Sequence, residues 1–136
     1  MTAPALSLQQ AMRAALVANP IIVAQVPASK ITTRHMRPED FPCIVMGEGL
    51  EASYGRTLDR SYVRIYSTIH VWTREPSLEQ VKAIAHQVRK VLVDSPTVKA
   101  GRVDFKYEST RFLRDPSGEH SHAVLDFSAL VKDVAE

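Results

Sequence analysis

A single cysteine, Cys43, leaves this chain of 136 residues no intrachain disulfide and no site needing several thiolates. Redox chemistry by paired thiols is excluded with it. Long apolar runs are also missing: nothing approaches the roughly 20 residues that a bilayer-spanning helix requires, which predicts a soluble protein without a membrane partner. No Lys/Arg block exists either. The 17 basic and 15 acidic side chains are interspersed and leave a net charge of +2, too even to point to nucleic-acid binding by itself. Residues 1–8 carry no basic residue and no sustained apolar stretch, so neither a secretory signal nor a transit peptide is expected, and the protein is expected to be made in the cytoplasm. What remains is ordinary: 45% hydrophobic and 24% charged residues in a length suited to one compact domain spanning residues 1–136.

Periodicity supplies the elements. Ser7 and Gln10 have the spacing of a capping box, and Leu8, Ala11, Met12, Ala15 and Leu16 form an apolar stripe that Asn19 and Pro20 end. A short amphipathic helix is predicted there. Residues 20–42 are broken by Pro27 and Pro38, with brief regular structure expected only at residues 21–26 and 31–33. The apolar run Cys43, Ile44, Val45, Met46, bounded by Pro42 and Gly47, reads as a buried strand in which Cys43 packs as a small hydrophobe. Residues 48–59, rich in glycine and mixed charge, read as a long arm.

The clearest strand follows. Val63, Ile65, Ile69 and Val71 alternate with Tyr62, Arg64, Tyr66, Thr68, His70 and Trp72, the period of two of a half-buried strand. Pro76, Ser77 and Gln80 open a long helix whose stripe runs through Leu78, Val81, Ile84, Ala85, Val88, Val91 and Leu92. Beyond Pro96, Val103, Phe105 and Tyr107 alternate with Asp104 and Lys106. A type I turn at Asp115, Pro116, Ser117 and Gly118 then leads into a last strand with Ala123, Leu125 and Phe127 on one face. The pattern predicts an α+β fold: a mainly antiparallel sheet with two amphipathic helices packed on one face, plus the long arm.

Candidate chemistry is thin. His120 and His122 would place two imidazoles on one side of a strand, but His35, His70 and His86 are scattered and no third ligand is near in sequence, so hydrogen-bonded histidines are expected rather than a metal site. Asp115 and Glu119 flank a turn, and turn chemistry accounts for them better than acid/base catalysis. Cys43 sits in an apolar strand that disfavours a thiolate nucleophile. Gly47, Glu48 and Gly49 look like a fragment of a phosphate loop without its Lys-Ser/Thr ending or a following helix. No catalytic, cofactor or metal residue is assigned. An assembly surface is the stronger expectation: Tyr62, Arg64 and Tyr66 on an outer strand face, with Leu50, Tyr54, Arg56 and Leu58 in the arm.

Residues 41–47 followed by the variable arm, then Ile69, His70, Val71, Trp72, Thr73 and Arg74 before an amphipathic helix, then residues 110–118 and the strand 122–127, together resemble the tail completion (tail terminator) family of long-tailed phages and gene transfer agents. The resemblance rests on order and spacing and covers most of the chain. It implies a non-enzymatic virion protein, made in the host bacterial cytoplasm and placed at the neck of the tail. There it forms an expected ring of six copies that stops tail-tube polymerisation. The implied partners are other copies of itself, the tail-tube protein, a head-tail connector or stopper, and DNA sliding through the lumen without sequence-specific contact. Three alternatives stand beside it. One is the connector stopper itself. Another is a single-stranded nucleic-acid binder using Tyr62, Arg64, Tyr66 and Trp72. The third is an enzyme whose site forms only between subunits.

Overall fold

The structure, a computed structural model, describes residues 3–34, 37, 40–53, 62–74, 77–100, 102–116 and 118–132. Helix α1 (Pro4–Val17) starts earlier than the capping box suggests. Pro4, with no N–H to satisfy, takes the first turn, and the Ser7 N–H already bonds the Ala3 carbonyl at 2.9 Å. Ser7 Oγ is therefore no cap; it accepts from Arg102 Nη2 at 2.9 Å. Helix α1 buries Leu8, Met12 and Leu16, each contributing roughly 1.5–3 kcal/mol, which offsets the missing side-chain cap.

Asn19 and Pro20 end α1 and at once begin α2 (Pro20–Gln25). Asn19 Oδ1 accepts from the N–H groups of Ile21 and Ile22 at 3.0 and 3.1 Å, and Pro20 fits the first helical turn. The connection expected to be irregular thus holds a capped helix, a single 3-10 turn (Ala28–Lys30), and a two-residue strand β1 (Ile31–Thr32). Both segments singled out for brief order, near residues 21–26 and 31–33, are ordered, and the 3-10 turn between them is a further piece of regular structure.

The sheet runs β1, β2 (Cys43–Ser53), β3 (Tyr62–Thr73), β5 (Ser121–Lys132), β4 (Arg102–Arg114). Only β1 with β2 is parallel; every other pair is antiparallel. Strand β2 is longer than expected. Residues 48–53, expected in the arm, extend it, and 49–53 pair with residues 63–67 of β3 beyond a bulge between Met46 and Gly49. A strand needs only a neighbour to satisfy its backbone, so its polar, glycine-rich composition did not exclude it. The rest of the expected arm, residues 54–59 with Tyr54, Arg56 and Leu58, lies outside the described residues.

Helix α3 (Leu78–Asp94) is capped by Ser77, whose Oγ accepts from the Glu79 N–H at 3.2 Å, and it buries Val81, Ile84, Ala85, Val88 and Leu92. Helices α1 and α3 lie on one sheet face over a core that includes Ile44, Ile69, Val71, Leu125 and Phe127. Phe127 stacks with Phe105 at 5.6 Å and meets the Tyr107 edge-on at 5.8 Å, while Arg89 of α3 lies 4.6 Å over the Tyr107 ring. Ser95 starts one further short helix, α4 (Pro96–Lys99), that the sequence pattern did not reveal. In β4 the simple alternation fails: bulges at Val103/Lys106 and Tyr107/Ser109 interrupt the register, and Asp104 takes a positive φ of 56°. The β4–β5 turn forms where expected, with the Gly118 N–H donating to the Asp115 carbonyl at 2.9 Å and Gly118 at φ +75°.

Candidate assembly face

Strand alternation sends one set of side chains to the helices and the other to the opposite, outer face of the sheet. On β3 the outer set is Tyr62, Arg64, Tyr66, Thr68, His70 and Trp72, and pairing aligns it with the outer set of β5. Trp72 sits across from Cys43 on one side and His122 on the other; His70 sits across from Val45 and Val124. Tyr66 sits across from Leu50 and Ser128.

At the β2 start this face is closed by an aromatic stack. Phe41, just before the strand, stacks on Trp72 at 5.4 Å, Trp72 stacks on His122 at 3.7 Å and 9°, and His122 stacks on His70 at 5.0 Å. Phe41, Cys43 and Val45 form a second small core here, packed with Trp72. Burial pushes the Cys43 thiol up to about 12, reinforced by Asp40, so it stays protonated and packs as a hydrophobe.

The histidines belong to this stack. His70 Nδ1 and His122 Nε2 lie 2.8 Å apart, and His70 Nε2 is 3.9 Å from Glu48 Oε2. Burial, then the neighbouring His70 and Arg111, hold His122 down to about 4, so His122 is neutral at pH 7. His120 does not share the strand with His122. It precedes β5 and pairs with Asp115 Oδ2 at 2.7 Å, so the turn carboxylate orients an imidazole. Among the described residues no group of three or more His, Cys, Asp or Glu is placed to hold a metal ion. A concavity of about 590 Å³ lies beside the stack, lined by Phe41, Glu48, His70, Trp72, His120 and His122 among others.

Gly47 and Gly49 have a structural reason unrelated to phosphate. A Cβ on Gly47 would come within 2.5 Å of the His70 ring, and one on Gly49 within 2.6 Å of the Tyr66 carbonyl oxygen, so both glycines let the bulged β2 lie close to β3.

Towards the far end the face is open. Leu50 and Tyr66 are cross-strand partners and remain 61% and 43% exposed, two large apolar side chains side by side with no element over them among the described residues. Arg64, on the same face, ion-pairs with Asp104 at 3.3 Å, and Tyr62 is half-buried at the strand start. The structure therefore brings together four of the residues expected in an interface: Leu50, Tyr62, Arg64 and Tyr66. Trp72, read as part of the same row, is engaged within the protein. The His70–His122 contact joins residues 52 apart in sequence and left no local signal.

A family model described as tail completion protein gp17 matches residues 10–132. Among solved structures, a chain of the virion of a native gene transfer agent particle aligns with a TM-score of 0.75 at 20% identity, covering 97% of this chain and 99% of that one. The bacteriophage SPP1 gp17 protein aligns with a TM-score of 0.62 at 15% identity, covering 97% and 94%. At these identities the structural likeness shows a shared fold. None of the curated proteins compared matches the sequence.

Proposed function

The chain belongs to the tail completion protein gp17 family, structural components of phage-type tails, and we propose that it forms a ring at the head-proximal end of the tail. The ring, of six copies, docks on the last ring of tail-tube protein, stops further addition, and offers its other side to the head-tail connector. The family match over residues 10–132 carries this reading. The open Leu50–Tyr66 patch supports it, because an exposed apolar pair on an uncovered sheet face gains stability when a partner covers it. Leu50, Tyr62, Arg64 and Tyr66 form a contact surface towards a neighbouring copy or the tube, and Tyr54, Arg56 and Leu58 are assigned to the same interface.

DNA passes through the lumen without sequence-specific contact, in keeping with a net charge of only +2. A single-strand binding role fits less well, because Trp72 is stacked on Phe41 and His122 and does not offer itself to a base. The test is electron microscopy of particles assembled without this gene product. Overlong or unattached tails beside filled heads are expected; tails of normal length joined to heads would overturn the reading.

A further inference from the structure

We propose that neighbouring copies join through their sheet edges, residues 49–53 of β2 in one copy pairing antiparallel with residues 109–114 of β4 in the next. This rests on the ring proposed above and adds the surfaces that make it. Strand β4 ends the sheet on one side. On the other side β1 covers β2 only at Ile44 and Val45, so beyond Met46 no described strand lies along β2's outer edge. An open edge presents unpaired backbone N–H and C=O groups and is ordinarily blunted by bulges or charge. The bulges of β4 fall between Val103 and Ser109, and its register from Ser109 to Arg114 is unbroken. The bulge of β2 falls between Met46 and Gly49, and its register from Gly49 to Ser53 is unbroken. Each edge keeps one regular stretch of similar length.

The two stretches are complementary. Glu51 is exposed within the β2 stretch and Glu48 in the bulge beside it, with no basic residue between Cys43 and Ser53, whereas Arg111 and Arg114 are exposed on β4, with no acidic residue from 109 to 114. The acids of β4 lie elsewhere: Asp104 faces Arg64 and Lys106, and Glu108 accepts from Ser128. Leu50 is exposed on one stretch, Phe112 and Leu113 on the other. Pairing β2 with β2 would set Glu against Glu, and β4 with β4 Arg against Arg, so the charges select the head-to-tail contact that a closed ring needs. Strands β2 and β4 run in opposite directions, and the junction continues the antiparallel order. The two free stretches lie towards opposite ends of the sheet, so each junction is staggered and the strands of a closed ring are tilted to its axis.

A charge-swap complementation tests this. Variant A carries Glu48→Lys and Glu51→Lys, making both its edges basic; variant B carries Arg111→Glu and Arg114→Glu, making both acidic. In cells whose particles lack the native gene product, neither variant alone is expected to restore attached tails, while A and B together restore them as an alternating ring. Rescue by A alone or B alone, or failure of the pair when both variants show native circular dichroism, overturns the edge contact. If a variant does not fold, a flexible bis-maleimide applied to assembled particles carrying Leu50→Cys and Leu113→Cys decides: a ladder of linked copies supports the junction and its absence overturns it. Normal tails in the parent cells without any gene product would instead overturn the terminator reading itself, and the cross-linking result then judges the edge contact separately.

Discussion

His70 Nδ1 lies 2.8 Å from His122 Nε2, joining strands β3 and β5 through one imidazole-to-imidazole hydrogen bond. One ring donates an N–H and the other accepts, an arrangement that a second proton breaks. Burial, His70 and Arg111 all disfavour the charged His122, while Glu48 faces His70 and the Asp115–His120 pair lines the same concavity.

The pH dependence follows in sign. His122 is held at about 4 in the folded state against an ordinary 6.5, so between those values the unfolded chain binds more protons than the folded one. Stability is full above about pH 6.5 and falls as pH drops towards 4, by an order of 1–2 kcal/mol once partial exposure is discounted. Urea unfolding at a series of pH values checks this. His122→Phe, which keeps a ring against Trp72, is expected to flatten the slope in that window; an unchanged slope would contradict the assignment.

Phe41 covers Trp72, the chain's one tryptophan, which makes the stack directly observable. Phe41→Ala should cost about 3 kcal/mol of folding stability and shift the tryptophan emission to the red as water reaches the indole. Emission unchanged from wild type would mean that Phe41 does not shield the ring.

The two glycines of β2 are expected to differ under substitution. Gly49→Ala drives a methyl against the Tyr66 carbonyl, which is backbone and cannot step aside, and should cost about 2–3 kcal/mol. Gly47→Ala meets the His70 ring, a side chain that can rotate away, so the loss is smaller but the His70–His122 bond is broken. Thermal melts of the two variants rank them; a reversed order would contradict the close approach at Tyr66.

Much of this fold was legible locally. The stripe of α3, the alternation of β3 and the turn before β5 are repeated patterns, and each marks a buried face that the helices and sheet then share. Residues 48–53 were misread because strand pairing depends on a neighbour, here residues 63–67, and not on the strand's own composition. Helix α1 starts before the expected capping box because Pro4 opens it without a cap, and the order expected at residues 21–26 is a helix because Asn19 both ends α1 and caps α2. Of the candidate assembly face, Tyr62, Arg64 and Tyr66 follow from alternation alone. Their alignment with Leu50, and the meeting of His70 with His122, depend on strand order and register, which no local pattern encodes.

Leu50→Lys combined with Tyr66→Ser separates folding from assembly. Both positions are exposed, so stability should stay within about 0.5 kcal/mol of wild type, while tails fail to be completed and attached. Native circular dichroism together with normal particles would remove the open patch from the interface.

The most direct measurement is cryo-electron microscopy of the neck of intact particles. The account predicts a single ring of this fold between the last tail-tube ring and the connector. Finding this chain at the distal tip, or finding the tube joined to the connector with no such ring between them, would contradict it.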